Sequence, residues 1–221
     1  MHIEHGVVTG AKLILGYATA ATAGLYTLKI ATTALRERGI ASLAGRGLLA
    51  TIATFVFFQV LPTAPVGVSE VHLIMGSTLF LLFGPAPAAI GLALGLLAQG
   101  LFFAPADLPQ YGMNVTTLLV PLFAVSALAG RIIAPRTAYV DLSYGQALAL
   151  STAFQGGVVA WVAFWAFYGQ GIGAWSGVAS FGAAYMLVIA LEPLVDLAVL
   201  AGAKSLRGLR GSGLVTPRLF A

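Results

Sequence analysis

The chain has 221 residues, of which 59% are hydrophobic and only 8% charged, with a mean hydropathy of +0.96 and a net charge of +4. Soluble domains carry about 25% charged residues, so this composition points to the bilayer and leaves no room for a separate soluble domain. The absence of cysteine excludes disulfides, thiolate metal sites, iron–sulfur ligation and thiol catalysis.

The chain opens Met1-His2-Ile3-Glu4-His5-Gly6. A histidine in second place offers one ion three nitrogens: the α-amine of Met1, the amide between residues 1 and 2, and the imidazole of His2. The resulting fused chelate rings favour a flat nitrogen array, which suits Ni²⁺ or Cu²⁺ and is open to Co²⁺. The chelate requires a free amine on Met1. The apolar stretch that follows is expected to be an uncleaved first span, because its flank is His/Glu rather than basic and nothing marks a cleavage site.

Apolar runs then recur at about 7–28, 47–61, 71–86, 88–103, 113–130, 145–168 and 179–202. At roughly 20 residues per span, they predict an all-α polytopic membrane protein with seven transmembrane helices in a single integral-membrane domain, 1–221. The third and fourth runs are joined at Gly84-Pro85-Ala86-Pro87, which suggests a tight helical hairpin. Small residues at four-residue spacing, such as Ala20 with Gly24 and Gly91 with Gly95, are expected to pack helices within the chain.

Basic residues sort to one side of this scheme. Lys29, Arg36, Arg38 and Arg46 fall between spans 1 and 2, Arg131 and Arg136 follow span 5, and Lys204, Arg207, Arg210 and Arg218 follow span 7. The positive-inside rule makes that side cytoplasmic, with the N-terminus outside and the C-terminus inside. The opposite loops, 62–70, 104–112 and 169–178, contain no Lys or Arg. His2, His5 and His72 are all expected on that outer side, with His72 opening span 3.

His2 and His72 are therefore the candidate imidazole ligands, balanced against ordinary interfacial histidines. His5 is a further ligand or a solvated imidazole. Glu70 and Asp107 either draw cations to the outer face, orient a ligand histidine or are simply solvated. Asn114 either bonds the loop covering the site or caps its helix. Glu192 and Asp196, four residues apart in span 7 with Pro193 between them, share one helix face. A tether to Arg131, Lys204 or a partner subunit is the favoured reading for them, and a proton or ion relay the alternative. No Gly-rich loop ends in Lys-Ser or Lys-Thr, and no serine–histidine–acid set is arranged for hydrolysis. The chain is read as a non-enzyme that binds no nucleic acid, and if it drives uptake the energy comes from another chain.

These pieces resemble the substrate-binding membrane components of energy-coupling factor transporters for cobalt and nickel, the CbiM/NikM family. The resemblance runs through Met1-His2-Ile3 with Gly6, Phe58-Gln59-Val60-Leu61-Pro62, Gly67-Val68-Ser69-Glu70-Val71-His72, Phe83-Gly84-Pro85 and Gly112-Met113-Asn114. It covers residues 1–135 and extends more loosely to about 202. It implies a prokaryotic plasma-membrane protein whose N-terminal segment tucks into the outer face of a seven-helix bundle. Co²⁺ or Ni²⁺, the transported substrate, would be held by the Met1 amine, the His2 amide and imidazole, and His72. Implied partners are a transmembrane coupling subunit, cytoplasmic ATPases and a small accessory membrane subunit.

The sequence departs from the family pattern at His5, where an acid is usual, and in the runs Gly67-Val68-Ser69-Glu70-Val71 and Ala106-Asp107-Leu108-Pro109. Pro193 and Asp196 are also unusual there. Two other readings are the same class of subunit serving another substrate, and a haem- or quinone-associated structural subunit. The lack of a second histidine deep inside any span argues against bis-histidine haem ligation.

Overall fold

The computed structural model describes residues 3–206, 208 and 210–220. Six helices carry the fold: α1 (Leu13–Gln59), α2 (Gly76–Phe83), α3 (Pro85–Phe102), α4 (Tyr111–Ile132), α5 (Tyr144–Gln170) and α6 (Trp175–Ser205). A small antiparallel hairpin, β1 (Ala64–Val66) with β2 (Ser69–Val71), separates α1 from α2. Four continuous helical stretches, Gly10–Gln59, Pro85–Phe102, Pro105–Ile132 and Tyr144–Ser205, are long and apolar enough to cross a membrane.

Two of those stretches are too long for one crossing. An α-helix rises 1.5 Å per residue, so about 20 residues span the hydrocarbon core. The 47 residues of α1 are broken at Gly39, whose φ of 76° and ψ of 173° lie outside the helical region. Contacts show that the chain reverses there. Gly16 packs against Gly112 and Met113, and Phe58 against His72, so both ends of α1 reach one face of the bundle. Near the break, Ser42 and Arg38 bond to Gly213 and Val215 at the opposite face. The second long stretch is interrupted between α5 and α6 by a 3-10 turn at Gly171–Ala174.

Several boundaries differ from the sequence expectation. Residues 7–9 are not helical, and α1 continues past 28 to carry Lys29, Arg36 and Arg38 on helix rather than in a loop. Long basic side chains sit comfortably near a helix end, since their stems lie on apolar surface while the charge reaches water. The run 71–86 is not one helix. His72 follows β2 instead of opening a span, and the helix Gly76–Phe83 ends before Gly84, with Pro85 and Ala86 already in α3.

Eight residues give about 12 Å of helix, too little to cross alone. The irregular stretch before α2 runs into the interior with it, and 74–81 are all buried. Non-helical backbone at this depth is tolerated where protein surrounds it. Met75, with φ 55°, makes the bend into α2, and Arg46, 3% exposed, closes its far end by donating from Nη1 to Phe83 O at 2.8 Å. Pro85 is the first residue of α3 rather than part of a loop.

Small residues set the close approaches. A Cβ on Gly91 would stand 2.4 Å from the Ala50 side chain, and one on Gly95 2.6 Å from Thr54, so these two glycines seat α3 on α1. Gly24, by contrast, has nothing within 4 Å of its would-be Cβ. The tightest side-chain contact is at the start of α2, where a Cβ on Gly76 would come within 2.1 Å of the fully buried Phe154 ring. Gly76→Ala is expected to destabilise the protein by about 1–3 kcal/mol through overpacking. Phe154→Leu in the same chain should recover part of that loss, measured as the thermal midpoint in detergent. A double variant no more stable than Gly76→Ala would refute the packing account.

Candidate metal site

The first described residues thread into the face that carries His72. Ile3 forms an isolated antiparallel bridge with Ser69, and the Glu4 amide donates to Val68 O at 3.1 Å. The N-terminal segment thus adds a third extended piece beside the β1–β2 hairpin. Ile3, Val7 and Val8 are buried, which gives this short polar stretch an apolar anchor. Its further course is tight: a Cβ on Gly169 would stand 1.8 Å from Val7 O, so α5 ends hard against this segment. Lys12 closes the same edge, donating to Gly169 O at 2.8 Å.

Asn114 is the side chain that fixes the chain's start. From the first turn of α4, 1% exposed, its Oδ1 accepts the Ile3 amide at 3.0 Å. It neither caps α4, whose N-cap is Gln110, nor bonds a covering loop; its partner is the N-terminal segment. Removing a buried acceptor costs about 1–3 kcal/mol, because its donor loses both partner and water. Asn114→Leu is therefore expected to speed exchange of the Ile3 amide by about tenfold or more, the rate equivalent of about 1.4 kcal/mol. Hydrogen exchange read by mass spectrometry on the N-terminal peptide checks this, and unchanged protection would remove Asn114 from the role.

His72 is 2% exposed and stands at the end of β2. Its Nε2 lies 3.0 Å from Glu70 Oε2, its ring packs on Phe58 with centroids 5.0 Å apart, and its carbonyl accepts from the Tyr185 hydroxyl at 3.5 Å. Burial pushes the imidazole pKa down to about 4, against the opposing influence of Glu70. A neutral ring whose Nε2–H is committed to a carboxylate presents its lone pair on Nδ1, the arrangement seen when a carboxylate orients a metal-binding histidine. Of the alternatives for Glu70, the geometry is that of a carboxylate orienting a histidine.

His5 takes a different direction. Its Nε2 lies 2.8 Å from Ala106 O and 3.3 Å from Asp107 Oδ1, in the 3-10 turn Pro105–Gln110 before α4. His5 and Asp107 thus pair with each other and pin the N-terminal segment to that turn. Among the described residues, no group of three or more His, Asp or Glu side chains could hold a metal ion. Met1 and His2, on which the expected chelate depends, lie outside the described residues.

Glu192 and Asp196 are buried, but their contacts are not with Arg131 or Lys204. Lys204 instead pairs with Asp141 at 2.6 Å. The two acids meet Ser77, Thr78 and Gln155 at the start of α2. The tether is therefore to neutral hydroxyl and amide groups of α2 and α5, a partnership invisible in sequence because it depends on where the short α2 begins. Tyr185 and Phe58 were likewise not singled out from the sequence. Tyr185 lies seven residues before Glu192, two helical turns along the same face, and only that periodicity links it to the pair.

A buried imidazole oriented by a carboxylate, with the N-terminal segment laid beside it, stands at one end of the apolar bundle of a multi-pass membrane protein. The family model for the cobalt uptake substrate-specific transmembrane region, CbiM, matches residues 2–208, and the chain belongs to that family. The protein is accordingly a substrate-specific membrane component of cobalt uptake. No curated protein and no solved structure gives a significant match.

Proposed function

We propose that the protein is the substrate-capture component of an energy-coupling-factor importer, taking Co²⁺ or Ni²⁺ at its outer face. Four nitrogens would hold the ion: the Met1 amine, the amide and imidazole of His2, and His72 Nδ1. The observation that carries this reading is the double hold on Ile3, by Ser69 on one side and Asn114 on the other. Ser69 is three residues from His72, so chain connectivity keeps residues 1 and 2 within two peptide units of the strand that leads to the buried imidazole. Glu70 orients His72, while the His5–Asp107 pair holds the segment rather than the ion.

The same reading has seven crossings. The two halves of α1, the segment 73–83, and α3 to α6 each run from one face of the bundle to the other. The N-terminus lies outside and the C-terminal arginines face the cytoplasm, as expected for a prokaryotic plasma membrane. With no nucleotide-binding loop of its own, the chain would work with a transmembrane coupling subunit and cytoplasmic ATPases, with room for a small accessory membrane subunit. It would carry out no catalysis.

The test is spectroscopic titration of the purified protein with Co²⁺ and with Ni²⁺, comparing a free Met1 amine with an N-terminally extended form. An added residue converts the amine to an amide and should weaken binding by at least about 100-fold, beyond the 10–100-fold typical of losing a group that merely supports a ligand. Equal affinity in the two forms would overturn the chelate. The ratio of Co²⁺ to Ni²⁺ affinity in the native form sets the preference between ions.

A further inference from the structure

The molecule has seven Asp and Glu residues, and only Glu192 and Asp196 are buried, both at 0% exposure. No basic side chain contributes to their electrostatic surroundings among the described residues, and the remaining titratable neighbour is Tyr185. Two adjacent negative charges in such a place would be prohibitively costly without a cation or a proton.

The hydrogen bonds decide which of these the pair holds. Ser77 Oγ lies 2.8 Å from Glu192 Oε1 and 2.7 Å from Asp196 Oδ2. A hydroxyl has one proton and can donate to only one of two carboxylate oxygens. The second short contact needs a proton on the carboxyl itself, donated to the lone pair of Ser77. Oxygens around a hard cation at about 2.3–2.6 Å stand roughly 3.4 Å apart, so the observed spacing suits a shared hydrogen and not an ion among them.

Gln155, 0% exposed, directs its Nε2 at Glu192 Oε2 and donates to that carboxyl whichever partner of the pair carries the proton.

We infer that Glu192 and Asp196, bridged by Ser77 at the start of α2, form an interior proton-binding site that holds one proton and one negative charge. The charge is met by the Thr78 hydroxyl, bonded to Asp196 Oδ1, and by the positive end of α2. The proton belongs to the pair, since either carboxyl can carry it and leave every donor matched. Loss of the proton would leave both charges competing for the single Ser77 hydroxyl and break one of its two contacts, loosening α2 from α6 while the Thr78 bond to Asp196 remains. This site is independent of the metal reading, because none of its groups is a proposed ligand.

Infrared difference spectroscopy of the full-length protein at neutral pH, with 13C-labelled glutamate or aspartate and in H₂O against D₂O, tests it. The expected result is a protonated-carboxyl C=O band that shifts with the label and exchanges slowly into D₂O. It should vanish in both Glu192→Gln and Asp196→Asn, because either change leaves a single ionised partner. Ser77→Ala should move the band to higher frequency by removing its acceptor. Absence of a slowly exchanging band in the native protein overturns the proposal without recourse to any variant. So does a band that survives both amide substitutions.

Discussion

His72→Ala is expected to abolish tight Co²⁺ and Ni²⁺ binding while leaving the helical fold in place. The imidazole is the one proposed ligand donated from within the bundle, and it is held in place by Glu70 at Nε2, Phe58 on its face and Tyr185 on its carbonyl. Losing a group that only supports a ligand costs about 10–100-fold in metal affinity, so losing the ligand should cost at least the upper end of that range. Glu70→Gln should fall inside it, because the amide can still bond the ring but adds no charge. Metal titration read against helical circular dichroism separates the two effects. If His72→Ala binds as tightly as the native protein, the outer-face site as proposed is wrong. If Glu70→Gln is the more damaging of the pair, Glu70 is the ligand and His72 its support.

The second large effect is expected at Gly67, in the turn between β1 and β2. Its φ is +65°, a region that costs an L-residue about 1–2 kcal/mol. In addition, a Cβ there would stand 2.0 Å from the backbone oxygen of Gly177, at the start of α6. Backbone cannot swing aside as a side-chain tip can, so the hairpin itself must lift. Since that hairpin pairs with Ile3 and leads directly into His72, Gly67→Ala should weaken metal binding by about 10–100-fold on a further overpacking cost of about 1–3 kcal/mol. Gly10→Ala is the matched control. Gly10 also has a positive φ, 60°, but nothing lies within 4 Å of its would-be Cβ, so it carries strain without collision. Equal metal affinity in the two variants would show that docking of the hairpin on α6 is not what positions the site.

Much of the architecture was legible because hydrophobicity along a chain reports burial in lipid or protein. The apolar runs at 113–130, 145–168 and 179–202 fall within observed helices, and the run 88–103 overshoots the end of α3 by one residue. Polar residues expected to share one side of the bundle do share one end of it. Glu70, His72, Asp107, His5 and Asn114 lie at the same end of the bundle as the N-terminal segment.

The same signal misread the run 71–86, where an apolar stretch that looks like one span is an extended lead-in followed by two turns of helix. Hydropathy registers that the segment is buried but not whether its backbone groups are satisfied along a helix or by surrounding protein. It also ended the first helix too early. Charged residues at 29, 36 and 38 read as loop, although lysine and arginine are good helix formers and carry α1 on to Gly39.

The sequence by itself determined that this chain lives in a bilayer and how its basic charge divides along the chain, since composition and covalent order suffice for those. Tertiary structure decided which partners the polar groups have. That Glu70 rather than Asp107 orients His72, that Asn114 holds Ile3, and that two acids in α6 meet the hydroxyls of Ser77 and Thr78 all depend on how the ends of α2, α4 and α6 come together. Those contacts join residues up to 119 positions apart, and spacing along a chain carries no information about such pairings until the helices have packed.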